Sequence, residues 1–153
     1  SPASSVSSPE QIAALQAEVE RLRSIMPGQA VAMTQVAYNF SNLWFAVQEK
    51  NWALAQFYLN ETRVRLRWAL RITPTRKIGA GELSLQPILD ELEQIHLAPL
   101  RAIVDAQTTE GFAAAYDDVL GACYGCHVAS EKPYLRLTRP SQPAETLIAF
   151  GGG

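Results

Sequence analysis

The sequence has no long apolar run: its unbroken hydrophobic stretches are a few residues each, far below the roughly 20 that a membrane-spanning helix needs. Charge is sparse and nearly balanced. With 13 basic and 15 acidic residues the formal net charge is −2, which gives no reason to expect a nucleic-acid partner. Strand-type alternation of polar and apolar residues is missing at any useful length, so no sheet is expected. There is no internal repeat, and no basic start followed by an apolar core that would mark a signal segment. Cysteine and histidine are scarce, with two of each. What the chain does have is apolar material. At 48% hydrophobic and 18% charged over 153 residues, it can bury one core, and a wholly disordered chain is excluded.

The Ser/Pro-rich start, Ser1–Ser8, reads as a disordered leader, and Gly151–Gly153 as a frayed end. Between them the apolar spacing is helical. A first helix is expected from Pro9 to Met26, where Ile12, Leu15, Val19, Leu22 and Met26 step by three and four in a narrow heptad stripe. Two heptads are too few for a stable free coiled coil, so this helix must cover itself on the body or on a second copy. A second helix, from about Gln29 to Glu49, aligns Met33, Val36, Ala37, Phe40, Trp44 and Val47. Asn51 offers an N-cap to a third, which carries Trp52 to Leu70 and stops at Thr73-Pro74. Lys77–Gly81 reads as a glycine-rich loop. A fourth helix starts near Leu85, and Pro99 should kink or restart it before Leu100 and Val104. The fifth runs from Glu110 to Lys132, and an extended tail follows over 133–153. The expected fold is all-α: an antiparallel up-and-down four-helix bundle over 29–132, with an extra N-terminal helix at 9–26. Residues 9–132 then form one domain.

Three of the four cysteines and histidines fall within five positions, Cys123-Tyr124-Gly125-Cys126-His127. The C-x-x-C-H spacing is the c-type haem attachment signature. On a helix, residues three and four apart share a face. Both thiols can therefore reach the vinyl groups of one porphyrin, and His127 presents its imidazole to the iron from the same side. Gly125 would keep the backbone slim beside the macrocycle. Three rival readings fit less well than haem. A dithiol redox motif normally follows a strand, and no strand is expected before Cys123. A zinc site needs four ligands, which only the distant His96 could complete. A structural disulfide leaves the adjacent histidine without a role. One covalent haem c is the expected cofactor.

A C-x-x-C-H motif late in the last helix of such a bundle resembles the class II c-type cytochromes, the cytochrome c′ group. The resemblance spans about Gln29 to Lys132 and rests on architecture and one motif. Where that family usually has a basic residue four positions after the haem histidine, this chain has Glu131. The resemblance implies a sixth iron ligand on the first bundle helix, where Met33 stands, and a thioether there raises the reduction potential. Met33 as a flexible core filler, with the iron left five-coordinate, is the alternative; His96 is a weaker candidate. Phe40, one to two turns from Met33, is the aromatic most expected to line the haem. Arg63, Arg67 and Arg71 form a basic stripe, read chiefly as a solvated face pairing with Glu61, Asp90, Glu91 or Glu93. Arg67 is carried as the candidate for a haem propionate.

The function expected from this resemblance is electron transfer by a periplasmic, exported cytochrome working with redox partner proteins. The alternative is a five-coordinate site binding a diatomic gas such as nitric oxide or carbon monoxide. The N-terminal helix could dock the chain to a larger complex or make a homodimer. No catalysis is expected, because no distal acid/base pair is visible and His96 has no evident partner in sequence.

Overall fold

The structure, a computed structural model, describes residues 6–152; Ser1–Ser5 of the expected leader and Gly153 lie outside the described residues. The chain is mostly helical with one small antiparallel hairpin. Helix α1, Pro9–Ile25, opens with a capping box: Ser8 Oγ accepts from the Gln11 backbone N–H at 3.2 Å, and the Gln11 side chain accepts from the Ser8 N–H at 2.8 Å. Pro9 takes the first helical position, and none of the helix's residues is buried. Helices α2, Gln29–Gln48, and α3, Trp52–Ile72, pack along their lengths as the principal helix pair. Asn51 caps α3 by accepting from the Leu54 N–H at 3.2 Å.

The segment expected to be a loop is instead a β-hairpin, β1 at Thr75–Ile78 and β2 at Gly81–Ser84, with Thr75 opposite Ser84 and Ile78 opposite Gly81. Its two-residue turn, Gly79-Ala80, uses the positive φ of Gly79 (+48°). Four-residue strands are too short for alternation to register above a glycine-rich background.

The fourth helical stretch runs as α4, Gln86–Glu91, a π-helical turn at Leu92–Leu97, and α5, Ala98–Asp105. The disturbance expected at Pro99 thus falls in the turn before it. Pro99 cannot donate to the Ile95 carbonyl and its ring crowds that oxygen, and widening the preceding turn makes room. Helix α6, Phe112–Ala129, is shorter at both ends than the sequence suggests. Gly111, at φ +77°, sets its start. At its end Glu131 adopts φ +61°, while Lys132 N–H donates to His127 O (2.8 Å) and Glu131 N–H to Val128 O (3.0 Å), a Schellman arrangement.

The core joins Leu43, Ala46 and Val47 of α2, Tyr58 and Leu59 of α3, Leu97, Leu100 and Val104, and Phe112, Tyr116 and Val119 of α6. Helix α6 packs on the π turn and α5. It meets α2 through aromatics: Tyr116 stacks on Phe40 with ring centroids 4.2 Å apart and donates its hydroxyl to the Phe40 carbonyl at 2.8 Å. Trp44 lies against Phe112, at 5.7 Å between centroids.

Residues 133–152 form no helix or strand, yet they are fastened at several points. Arg139 pairs with Asp117 of α6 through two bonds of 2.8 and 2.5 Å, its guanidinium over the Trp44 ring. The buried Asn42 accepts from both the Ala144 and Glu145 N–H groups at 3.0 Å, and Tyr38 donates to Glu145. Asn51 donates to the Phe150 carbonyl at 3.1 Å, with the Phe150 ring stacked on Tyr58.

Candidate functional site

Cys123, Cys126 and His127 lie on the last two turns of α6, all half-buried, and both thiols pack against the core. Burial is the largest influence on each thiol. It pushes Cys123 up to about 12, with the neighbouring Cys126 adding to the shift. Cys126 is also raised by burial, against the pull of the Ser130 hydroxyl and the Arg76 charge. Two neutral, core-facing thiols are the opposite of a dithiol redox pair, whose attacking sulfur needs a lowered pKa.

The imidazole of His127 is oriented by the chain beyond the helix. Its Nδ1 lies 2.7 Å from the Leu135 carbonyl oxygen, an acceptor only, so Nδ1 carries the proton and donates it. In the neutral imidazole this makes Nε2 the unprotonated nitrogen, the tautomer a metal ligand requires. The Schellman end of α6 makes this bond possible by turning the chain back within reach. Tyr124 helps hold the return, donating to the Pro133 carbonyl at 3.0 Å.

Met33 is half-buried on α2. Trp44 faces Phe112 and Phe40 faces Tyr116, so α2 and α6 run antiparallel. Met33 lies two turns before Phe40 on α2, and Cys123 two turns after Tyr116 on α6. Phe40 is buried and stacked on Tyr116.

Arg67 is not brought to the motif: its guanidinium is engaged two-pronged by Glu93, at 2.8 and 3.2 Å, across α3 and the π turn. Arg65 pairs with Glu61 at 3.5 Å, so part of the arginine stripe is a solvated, paired face. The cation that bears on Cys126 is Arg76 of β1, which also bonds the buried Gln29 side chain. Sequence reasoning passed over it because the hairpin read as a loop. Glu131, in place of a basic residue, accepts from the Gly79 N–H at 3.3 Å and ties the end of α6 to the hairpin turn.

His96 has a partner that the sequence does not reveal: its Nδ1 lies 2.6 Å from Asp118 Oδ2. Asp118 is nine residues before His127, which puts it on the opposite side of α6 and about 13 Å away along the axis. His96 is therefore held away from the His127 imidazole and can complete neither a zinc tetrahedron nor an axial pair. Gly125 is exposed, on the face of α6 away from Cys123, and a Cβ there would meet nothing within 4 Å.

Among the described residues no three of His, Cys, Asp and Glu converge as metal donors. A structural zinc site draws all four ligands from the protein, whereas haem needs only one or two axial residues from it. No helix among the described residues is long and apolar enough to cross a membrane. Compared with protein-family models, curated proteins and solved structures, the chain matches none.

Proposed function

We propose that the chain carries one haem c, attached through Cys123 and Cys126 and ligated by His127, and acts as an exported, periplasmic electron carrier. The observation that carries this reading is the 2.7 Å bond from His127 Nδ1 to the Leu135 carbonyl, which leaves Nε2 as the ligating nitrogen beside two core-facing thiols. Helices α2, α3, α4–α5 and α6 are read as an up-and-down four-helix bundle of the cytochrome c′ kind. The support for it is the α2–α3 pairing, α6 against α5, and the Phe40–Tyr116 stack that joins first and last helices. Bound haem supplies one-electron exchange between ferric and ferrous iron.

The chain's own residues would then divide the work. Tyr116 and Val119 keep water from the buried side of Cys123. Met33 is the residue to approach the iron from α2. Arg76, and not Arg67, is the cation to hold a propionate, since Arg67 is already occupied by Glu93.

Visible spectra of protein matured in a cytochrome c-competent host test the reading. A covalent haem spectrum, low-spin and with a sulfur-to-iron band that disappears in Met33→Ala, is the expected result. A high-spin spectrum that shifts on adding carbon monoxide would replace electron transfer with gas binding. Absence of covalent haem would overturn both.

A further inference from the structure

Whatever Cys123, Cys126 and His127 hold, α1 is an amphipathic helix with none of the described residues covering its apolar side. Ile12, Leu15, Val19, Leu22 and Met26 are 45–63% exposed. A lone 17-residue helix that buries nothing is marginal in water, even with its capping box. We propose that α1 pairs with α1 of a second copy of this chain as a parallel, in-register, two-stranded coiled coil.

The sequence of the stripe specifies both the occupant and its direction. Between Ile12 and Leu22 the apolar residues keep to a narrow a/d seam flanked by the polar Gln16 and Glu18, where a helix lying on a globular body carries a wider apolar face. Written as heptads, Ile12 and Val19 take the a positions and Leu15 and Leu22 take d, while Met26, the extended C-cap, lies beyond the helix. Among parallel coiled coils, β-branched residues at a with leucine at d favour two strands over three or four. The flanks agree. Glu18 falls at g and Arg23 at e of the next heptad, which face each other between parallel chains, so the two-fold axis generates the Glu18–Arg23 pair twice. In an antiparallel pair g meets g and e meets e, and Glu18 would then find no cation. Within one helix Glu18 and Arg23 are five residues apart and on different sides; there Glu18 bonds Arg21 instead, at 2.6 Å.

A lipid surface is the poorer occupant. The helix carries Glu10, Glu18 and Glu20 against Arg21 and Arg23, not the basic excess that anionic headgroups attract.

Light scattering of the full chain over a concentration series tests the proposal. The molar mass should rise from 16.8 kDa toward twice that value with concentration. Leu15→Lys should abolish the rise. Glu18→Arg alone and Arg23→Glu alone should each weaken association severalfold, and the double variant should restore it. Because the double variant keeps both altered residues, recovery cannot come from helix stability and requires the two positions to meet across the interface. A mass fixed at 16.8 kDa at every concentration overturns the proposal. So does a dimer indifferent to Leu15→Lys, or one in which the double variant fails to recover, or a chain that stays monomeric while anionic vesicles take it up.

Discussion

Single residues divide into those whose role follows from their identity and those whose role depends on a neighbour no local pattern shows. Cys123, Cys126 and His127 belong to the first kind, since their types and spacing already specify a shared helical face. The carbonyl that orients His127 belongs to the second: any residue at 135 would supply the same oxygen, so the sequence holds no sign of it. Asp118 beside His96 is equally silent, being 22 residues away and paired only once the π turn meets α6. Gly125 is the opposite case, a residue whose place in the motif suggests a constraint that no protein neighbour imposes. Gly125→Ala should leave covalent haem attachment intact and stabilise α6 by about 0.5–1 kcal/mol, because helix propensity improves and a methyl group there meets open space. Haem content and urea unfolding measured together would check this; loss of haem would show that the macrocycle passes closer to this face than the thiol geometry implies.

At the scale of elements, the helix starts are the most legible feature. Ser8-Pro9 and Asn51-Trp52 are cap sequences, and helices begin at Pro9 and Trp52. Ends and connections are less so. Thr75–Ser84 has neither the length nor the alternation to announce strands, and its pairing is fixed by the Gly79-Ala80 turn and by Leu83 packing on the core. Pro99 advertises a disturbance, but which turn absorbs it depends on where the Ile95 carbonyl can move. The start of α6 depends on Gly111, held at φ +77°, where an added Cβ would find Ile103 Cδ1 only at an ordinary 3.6 Å. The constraint is therefore conformational and not steric. Gly111→Ala should cost about 1–2 kcal/mol of stability, read as a lower unfolding midpoint with an unchanged denaturant slope.

Across the whole molecule, the tail binds the outside of the fold through charged and polar groups with a defined pH window. The Tyr38 hydroxyl and backbone amides hold Glu145 below the usual carboxylate range, and Arg139 does the same for Asp117. Depressed native values mean that these ties contribute fully at neutral pH and fade as pH falls through about 4 toward the native pKa values. On the alkaline side Glu145 raises Tyr38 to about 12, so its contribution is complete below 10 and is lost as pH climbs through 12. Proteolysis within residues 136–150 should therefore be slow at neutral pH and accelerate below about pH 4, before the helices unfold by circular dichroism. Equal cleavage rates at both pH values would show that apolar contacts such as Phe150 on Tyr58 hold the tail instead. The uncovered α1 has a consequence in solution hydrodynamics. The chain exposes 9800 Å², where a compact monomer of its mass would expose about 7,600 Å². A rod about 25 Å long with solvent on every side adds drag without adding mass. A single copy should diffuse slowly and leave a sizing column early, imitating a larger particle, so elution volume alone would count two chains where there is one.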